Sequence, residues 1–209
     1  LGTIFSFLIL VGTHVFNPIK SIHYQRDLIS PPLALKHLHF GFNEVIADIL
    51  WLRALQDFDY CESQIAKNIC KGNSWLYKML DTTLSLSPHF RMPALTGGIA
   101  LSVLVSDMEG ASNFFDKALV SFPNDWQLLY YAAYHAIFEE KNKEKAAGYL
   151  IRSARNGGND WFYSLAVRLY TEAGQRELGV SVYKNLKDLN FSSGLLNRMG
   201  EKLGLPKDQ

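Results

Sequence analysis

A shape that returns every 33 to 35 residues most restricts the folds open to this chain. In GASNFFDKALVSFP, Ala111, Phe115, Ala118 and Pro123 stand as A-x3-F-x2-A-x4-P. The stretch EKAAGYLIRSARNGG repeats the shape with Ala146, Leu150 and Ser153. Upstream, WLYKMLDTTLSLSP gives Leu76, Leu80, Thr83 and Pro88; downstream, LGVSVYKNLKDLN gives Gly179, Tyr183 and Leu186. Pro88 to Pro123 is 35 residues, as is Ala111 to Ala146, and Ala146 to Gly179 is 33. Small residues one turn either side of a large one let a neighbouring helix approach while the large one fills the gap between layers. Proline then stops the helix, because it has no N–H and disfavours the helical conformation of the residue before it. A helix pair of this kind cannot bury its apolar face alone, so successive pairs must stack.

This period and pattern resemble the tetratricopeptide repeat, most closely over 92–125 and then over 127–160, with 57–90 and 160–192 as the outer copies. The first-helix landmarks depart from that family. Leu95, Gly98, Ile99 and Ser102 stand where it carries Trp, Leu, Gly and Tyr, and Gly98 lies one place before the usual glycine. The run PPLALKHLHFGFNEVIADILWLRALQDFD (31–59) is similar to the opening of membrane-anchored bacterial tetratricopeptide proteins of delta-proteobacterial type. The resemblance implies an all-α solenoid of about three to four helical hairpins plus a capping helix. It also implies a tethered scaffold in a Gram-negative envelope. In that family the inner face is lined by the first helix of each pair. Carried over, those positions are Leu128, Tyr131, His135, Phe138 and Glu139, then Trp161, Ser164, Arg168, Thr171 and Glu172. Tyr, Trp and Arg are types that dominate protein-binding energetics. The rival reading is that Tyr131 and Trp161 pack inside the stack.

The first 16 residues, LGTIFSFLILVGTHVF, carry no charged side chain, and Asn17-Pro18 and Lys20 follow. A span needs about 20 apolar residues. Residues 1–17 are expected to be a transmembrane anchor, 18–32 a linker marked by Pro31-Pro32, and 33–209 the helical domain. A signal-peptide core and a buried first helix are the rivals; no A-x-A-like site follows the run. Lys20, Arg26 and Lys36 just past it favour a cytoplasmic body by the positive-inside rule. Cys61 and Cys70 bracket CESQIAKNIC between two expected helices, where a disulfide would mean an oxidising compartment. Two unrelated thiols are the alternative. The balance favours a single-pass protein of a bacterial inner membrane with a periplasmic domain.

With 48% hydrophobic and 20% charged residues, a folded core is expected rather than disorder. The net charge of +1 comes with no basic cluster, so nucleic acid is not an expected partner. Helices are expected near 33–40, 42–60, 73–87, 90–105, 109–121, 125–139, 143–155, 160–173, 176–189 and 192–203. Breaks at Pro88, Pro123-Asn124, Gly157-Gly158 and Ala173-Gly174 separate several of them. The helix at 42–60 is apolar around most of its circumference and is expected to sit in the core of the N-terminal pairs, with docking on a membrane or partner as the alternative. Asn197, Arg198, Glu201 and Lys202 suit a solenoid cap.

Candidate chemistry is thin. Glu44 and Asp48, and Arg53 and Asp57, stand four apart and read as structural pairs rather than acid–base partners. His37 and His39, with His14 and His23, lack further zinc ligands at a recognised spacing. Thr96-Gly97-Gly98 lacks the lysine of a phosphate loop and is expected to allow close helix packing. No G-x-S-x-G or triad is legible. The expectation is a non-enzymatic adaptor without cofactor, metal or small-molecule substrate, taking a helical or extended protein segment in its groove. A fixed subunit of a membrane machine, held through helix 42–60, and a cytoplasmic-facing adaptor for motility or polarity are the alternatives.

Overall fold

The computed structural model describes residues 28–37, 40–57 and 70–205. Their regular structure is all helical, with no strand among them. The order is α1 (Asn43–Gln56), α2 (Trp75–Leu86), α3 (Arg91–Ile99), α4 (Met108–Ser121), α5 (Trp126–Phe138), α6 (Lys143–Arg155), α7 (Trp161–Glu172), α8 (Arg176–Asp188) and α9 (Ser193–Leu203). A π-helical segment, Ala100–Val105, continues α3. A single 3-10 turn, Leu33–Lys36, precedes α1.

The starts of these helices are fixed by capping side chains that accept orphan backbone N–H groups. Ser74 accepts from Tyr77, Asp107 from Gly110, Asp125 from Gln127 and Leu128, and Asn142 from Lys145. The turns at Gly157, Gly174 and Gly204 take positive φ, as do those at Ser106, Lys141 and Asn190. The expected helix over 33–40 is reduced to one turn. Beyond it Phe40 and Gly41 both take positive φ, a conformation only glycine adopts without strain.

Consecutive helices pack on one another, and α2 on α4, α3 on α5 and α7 on α9 extend the contacts to the next pair. Apart from the prolines and the partly buried Tyr183, the echo positions are the buried ones. Leu76, Leu80 and Thr83, then Ala111, Phe115 and Ala118, then Ala146, Leu150 and Ser153, then Gly179 and Leu186 all lie inside. Polar contacts repeat at the same step: Arg91 to Asp125, Lys117 to Asp81 and Tyr149 to Asp116 are separated by 34, 36 and 33 residues. Two apolar cores result, one under α1–α5 and one under α5–α9, and α5 contributes to both.

Helix α1 is not the core helix expected. Only Ala47 and Ala54 of it are buried, while Phe42, Val45, Ile49 and Leu52 are exposed by 64, 55, 60 and 57% along one stripe. The two small residues allow α1 to lie close on α2, and that contact uses up its inward arc. Arg53 bonds Asp57 at 3.2 Å and lies over the Trp75 ring, so this charged pair ties α1 to α2. Glu44 and Asp48 are on the surface.

Before α1, the chain runs along α2. The Trp75 indole donates to the Ile29 carbonyl at 2.9 Å, and Lys36 pairs with Asp81, which also holds Lys117 of α4. Among the described residues no helix is long and apolar enough to cross a membrane. The expected anchor at 1–17 and most of the linker lie outside the described residues, as do Cys61, His14, His23 and His39. Cys70 packs against the first core and is not a free thiol.

Candidate interaction face

The first helices of successive pairs, α1, α3, α5, α7 and α9, border a series of clefts among the described residues. The first, of about 380 Å³, lies between α1 and α3 over α2, with Trp51, Leu55, Leu76, Leu80 and Leu104 among its walls. The second, of about 390 Å³, lies between α3 and α5 and is lined by Thr96, Ile99, Val103, Tyr130, Tyr131 and Tyr134. Thr96, Ile99 and Val103 belong to both, so α3 is a ridge with an apolar trough on either side.

The ridge is shaped by the π-helical segment. Leu101, Ser102 and Val105 turn inward, while Val103 and Leu104 are both exposed. Two adjacent apolar side chains of this wider turn thus stand on the surface, and π segments recur at functional sites. Below the ridge Gly97 and Gly98 face Phe114 and Phe115 so closely that a Cβ on either would collide with the ring. Close packing, as expected for this glycine pair, is what seats α3.

The third cleft, of about 240 Å³, lies between α7 and α9 and is lined by Trp161, Ser164, Leu165, Arg168, Arg198 and Lys202. Rings link it to the second. Tyr131 meets Tyr130 at 5.9 Å, Tyr130 stacks on Phe162 at 5.0 Å, and Phe162 meets Trp161 edge-on at 4.8 Å.

Of the inner-face positions carried over from the resemblance, Tyr131 lines the second cleft, and Trp161, Ser164 and Arg168 line the third. Phe138 is exposed and packs on Tyr134 at 4.5 Å. Glu172 is tied to Lys143 at 2.8 Å and Arg168 at 3.5 Å, which lowers its pKa, and the Thr171 hydroxyl bonds the Val167 carbonyl. Glu139 is half-buried at the end of α5. Leu128 and His135 are corrections: both are buried, and neither can face a partner. Ser164 is also buried and contributes only cleft floor. The open face of α5 is carried by 130, 131, 134 and 138 instead, so the helix stands rotated by one residue against the carried register. Tyr130 and Tyr134 were missed for that reason, whereas Val103, Leu104 and Leu55 lie on segments to which no inner-face position was carried. Arg198 and Lys202, which read as cap polarity, were legible only as two cations four apart, the spacing that puts them on one face.

His135 instead anchors a buried polar chain. Its Nδ1 lies 3.0 Å from the Ser102 hydroxyl and its Nε2 2.9 Å from the Ser112 hydroxyl, which donates to Glu140 at 2.7 Å. Lys145 closes the chain on Glu140 at 2.9 Å. With the Ser112 proton directed to the carboxylate, Nε2 carries the ring proton and Nδ1 accepts from Ser102. The chain joins the π segment, α4, α5 and α6.

Burial lowers the His135 pKa, against the raising effect of Glu140 and Glu139 and with a smaller lowering by Lys145. A folded pKa below the unfolded value means the unfolded chain binds the proton more readily. Stability from this group is therefore present above about pH 6.5 and is lost as the pH falls below it, by at most about 1.4 kcal/mol per unit. Melting is expected to fall from pH 7.5 to 5.5, with a shallower slope in His135→Gln; equal slopes by differential scanning calorimetry would refute the assignment.

Among the described residues no group of three or more His, Cys, Asp or Glu side chains could hold a metal ion. Compared with protein-family models, with curated proteins and with solved structures, the chain matches none.

Proposed function

We propose that this chain is a membrane-tethered scaffold of tetratricopeptide type, which captures a segment of another protein on the face formed by α1, α3, α5, α7 and α9. The observation that carries this reading is the pair of apolar troughs sharing the α3 ridge. Soluble surfaces seldom leave Leu55, Val103, Leu104, Tyr134 and Phe138 exposed along one side. Such clefts suit a helical or extended segment that inserts side chains between adjacent helices. An apolar anchor at 1–17 would raise the effective concentration of scaffold and partner at a bacterial inner membrane. The placement of the domain in the periplasm, with Cys61 and Cys70 joined, belongs to the same proposal, as does the absence of catalysis.

The exposed stripe Phe42, Val45, Ile49 and Leu52 favours a second reading, a fixed subunit held through α1. One experiment separates the two. A photo-crosslinking amino acid placed at Tyr134 in native cells is expected to trap a protein partner, and the same probe at Ile49 is expected to trap little. The reverse result would replace the groove scaffold with the fixed subunit, and no adduct at either position would refute both.

A further inference from the structure

The face is not uniform in chemistry. Its α1–α3–α5 half is apolar and aromatic, whereas its α7–α9 half gathers Arg168, Arg198 and Lys202 around the exposed edge of Trp161. Arg168 shares Glu172 with Lys143, and Lys202 also lies within electrostatic reach of that carboxylate. Arg198 donates to the Gly194 carbonyl of its own helix. The described lining of the cleft thus carries three cations and no carboxylate, with Glu172 paired to Arg168 beside it. The chain as a whole is nearly neutral at +1, so this concentration is local.

The two halves are joined by the ring series Tyr131, Tyr130, Phe162 and Trp161, in steps of 5.9, 5.0 and 4.8 Å. An extended strand rises about 3.3 Å per residue, so roughly five residues bridge the two clefts. The 28–36 segment lies on α2 and lines none of the three clefts.

We propose that the occupant is one continuous peptide segment of mixed chemistry, with apolar or aromatic side chains in the troughs beside α3 and carboxylates about five residues away against Arg168, Arg198 and Lys202. The proposal rests on the groove reading and gives its partner a composition. Charge complementarity sets the direction of the segment, since reversing it would place carboxylates among tyrosines and leucines. The indole of Trp161, half open beside three cations, supplies apolar area next to the acidic residues, as aromatic anchors do at interfaces.

The test is selection of random peptides displayed on phage against the immobilised full chain and against the double variant Arg198→Glu, Lys202→Glu. Both side chains are exposed, so the fold does not depend on them. The expected result is a peptide family with apolar or aromatic residues at one end and Asp or Glu at the other. Binding of that family should weaken roughly tenfold or more on the variant, as a charge-directed contact requires. A family that is apolar but without charge bias, recovered equally on both proteins, would overturn the mixed-chemistry proposal and leave the groove reading standing. Recovery of no family at all would overturn both.

Discussion

Replacing Asp107 by alanine is expected to destabilise the fold by about 3–5 kcal/mol, read as a shift in the urea unfolding midpoint at unchanged slope. Asp107 is fully buried and holds two levels of the stack at once. Its Oδ1 accepts from Gly110 at 3.0 Å, capping α4, and from Gly72 at 2.8 Å. Its Oδ2 accepts from Ser74 at 3.2 Å, and Ser74 in turn caps α2. One carboxylate thus fixes the starts of two helices one repeat apart. Hydrogen bonds to a charged group are worth about 1.5–3 kcal/mol each, and their loss leaves the buried Ser74 N–H without an acceptor. A helix N-terminus also favours negative charge. Asp107→Asn keeps one acceptor oxygen for Gly110 and Gly72 but turns an amide toward Ser74, so about half the loss is expected. A loss below about 1 kcal/mol for the alanine variant would show that the three bonds are replaced by water.

Asp107 also shows what could and could not be read from the sequence. It stands two residues before the helix expected over 109–121, and Asp is a favoured N-cap residue. That it reaches back to Gly72 and Ser74 depends on the stack, and no local pattern carries it. The same division holds elsewhere. The echo Ala111, Phe115, Ala118 gave the helices, the period and the buried positions correctly, because small-large-small spacing is a packing requirement that each helix states for itself. Helix α1 was misjudged because composition gives no direction: Val45, Ile49 and Leu52 read as core until the placement of Ala47 and Ala54 shows which arc faces α2.

The carried positions divide in the same way. Tyr131, Trp161 and Arg168 line clefts, whereas α5 stands one residue round from the carried register, with His135 and Leu128 inward and Tyr134 outward. Register carried by resemblance cannot anticipate such a rotation, because the Ser102–His135–Ser112 chain that holds the ring inside is made of contacts between helices.

The other large effect is expected at Phe114, where deletion to alanine should remove about 3–5 kcal/mol. Its ring is fully buried in the first core and fills the space left by Gly97: a Cβ on that glycine would lie 2.8 Å from the ring and 3.0 Å from Leu80. Neither neighbour is the free end of an exposed side chain, so Gly97→Ala alone should cost about 1–3 kcal/mol through overpacking. The two losses should not add. With the ring gone, the new methyl enters the cavity, and the double variant should be more stable than the sum of the single losses predicts, by about 1 kcal/mol or more. Additive losses in a double-mutant cycle of urea unfolding would mean that α3 already stands clear of α4. Because the ridge between the two apolar troughs is α3 itself, this contact sets their depth. Gly97→Ala is therefore expected to weaken peptide capture even under conditions where the chain remains folded, and Phe114→Ala in the same chain should restore part of it.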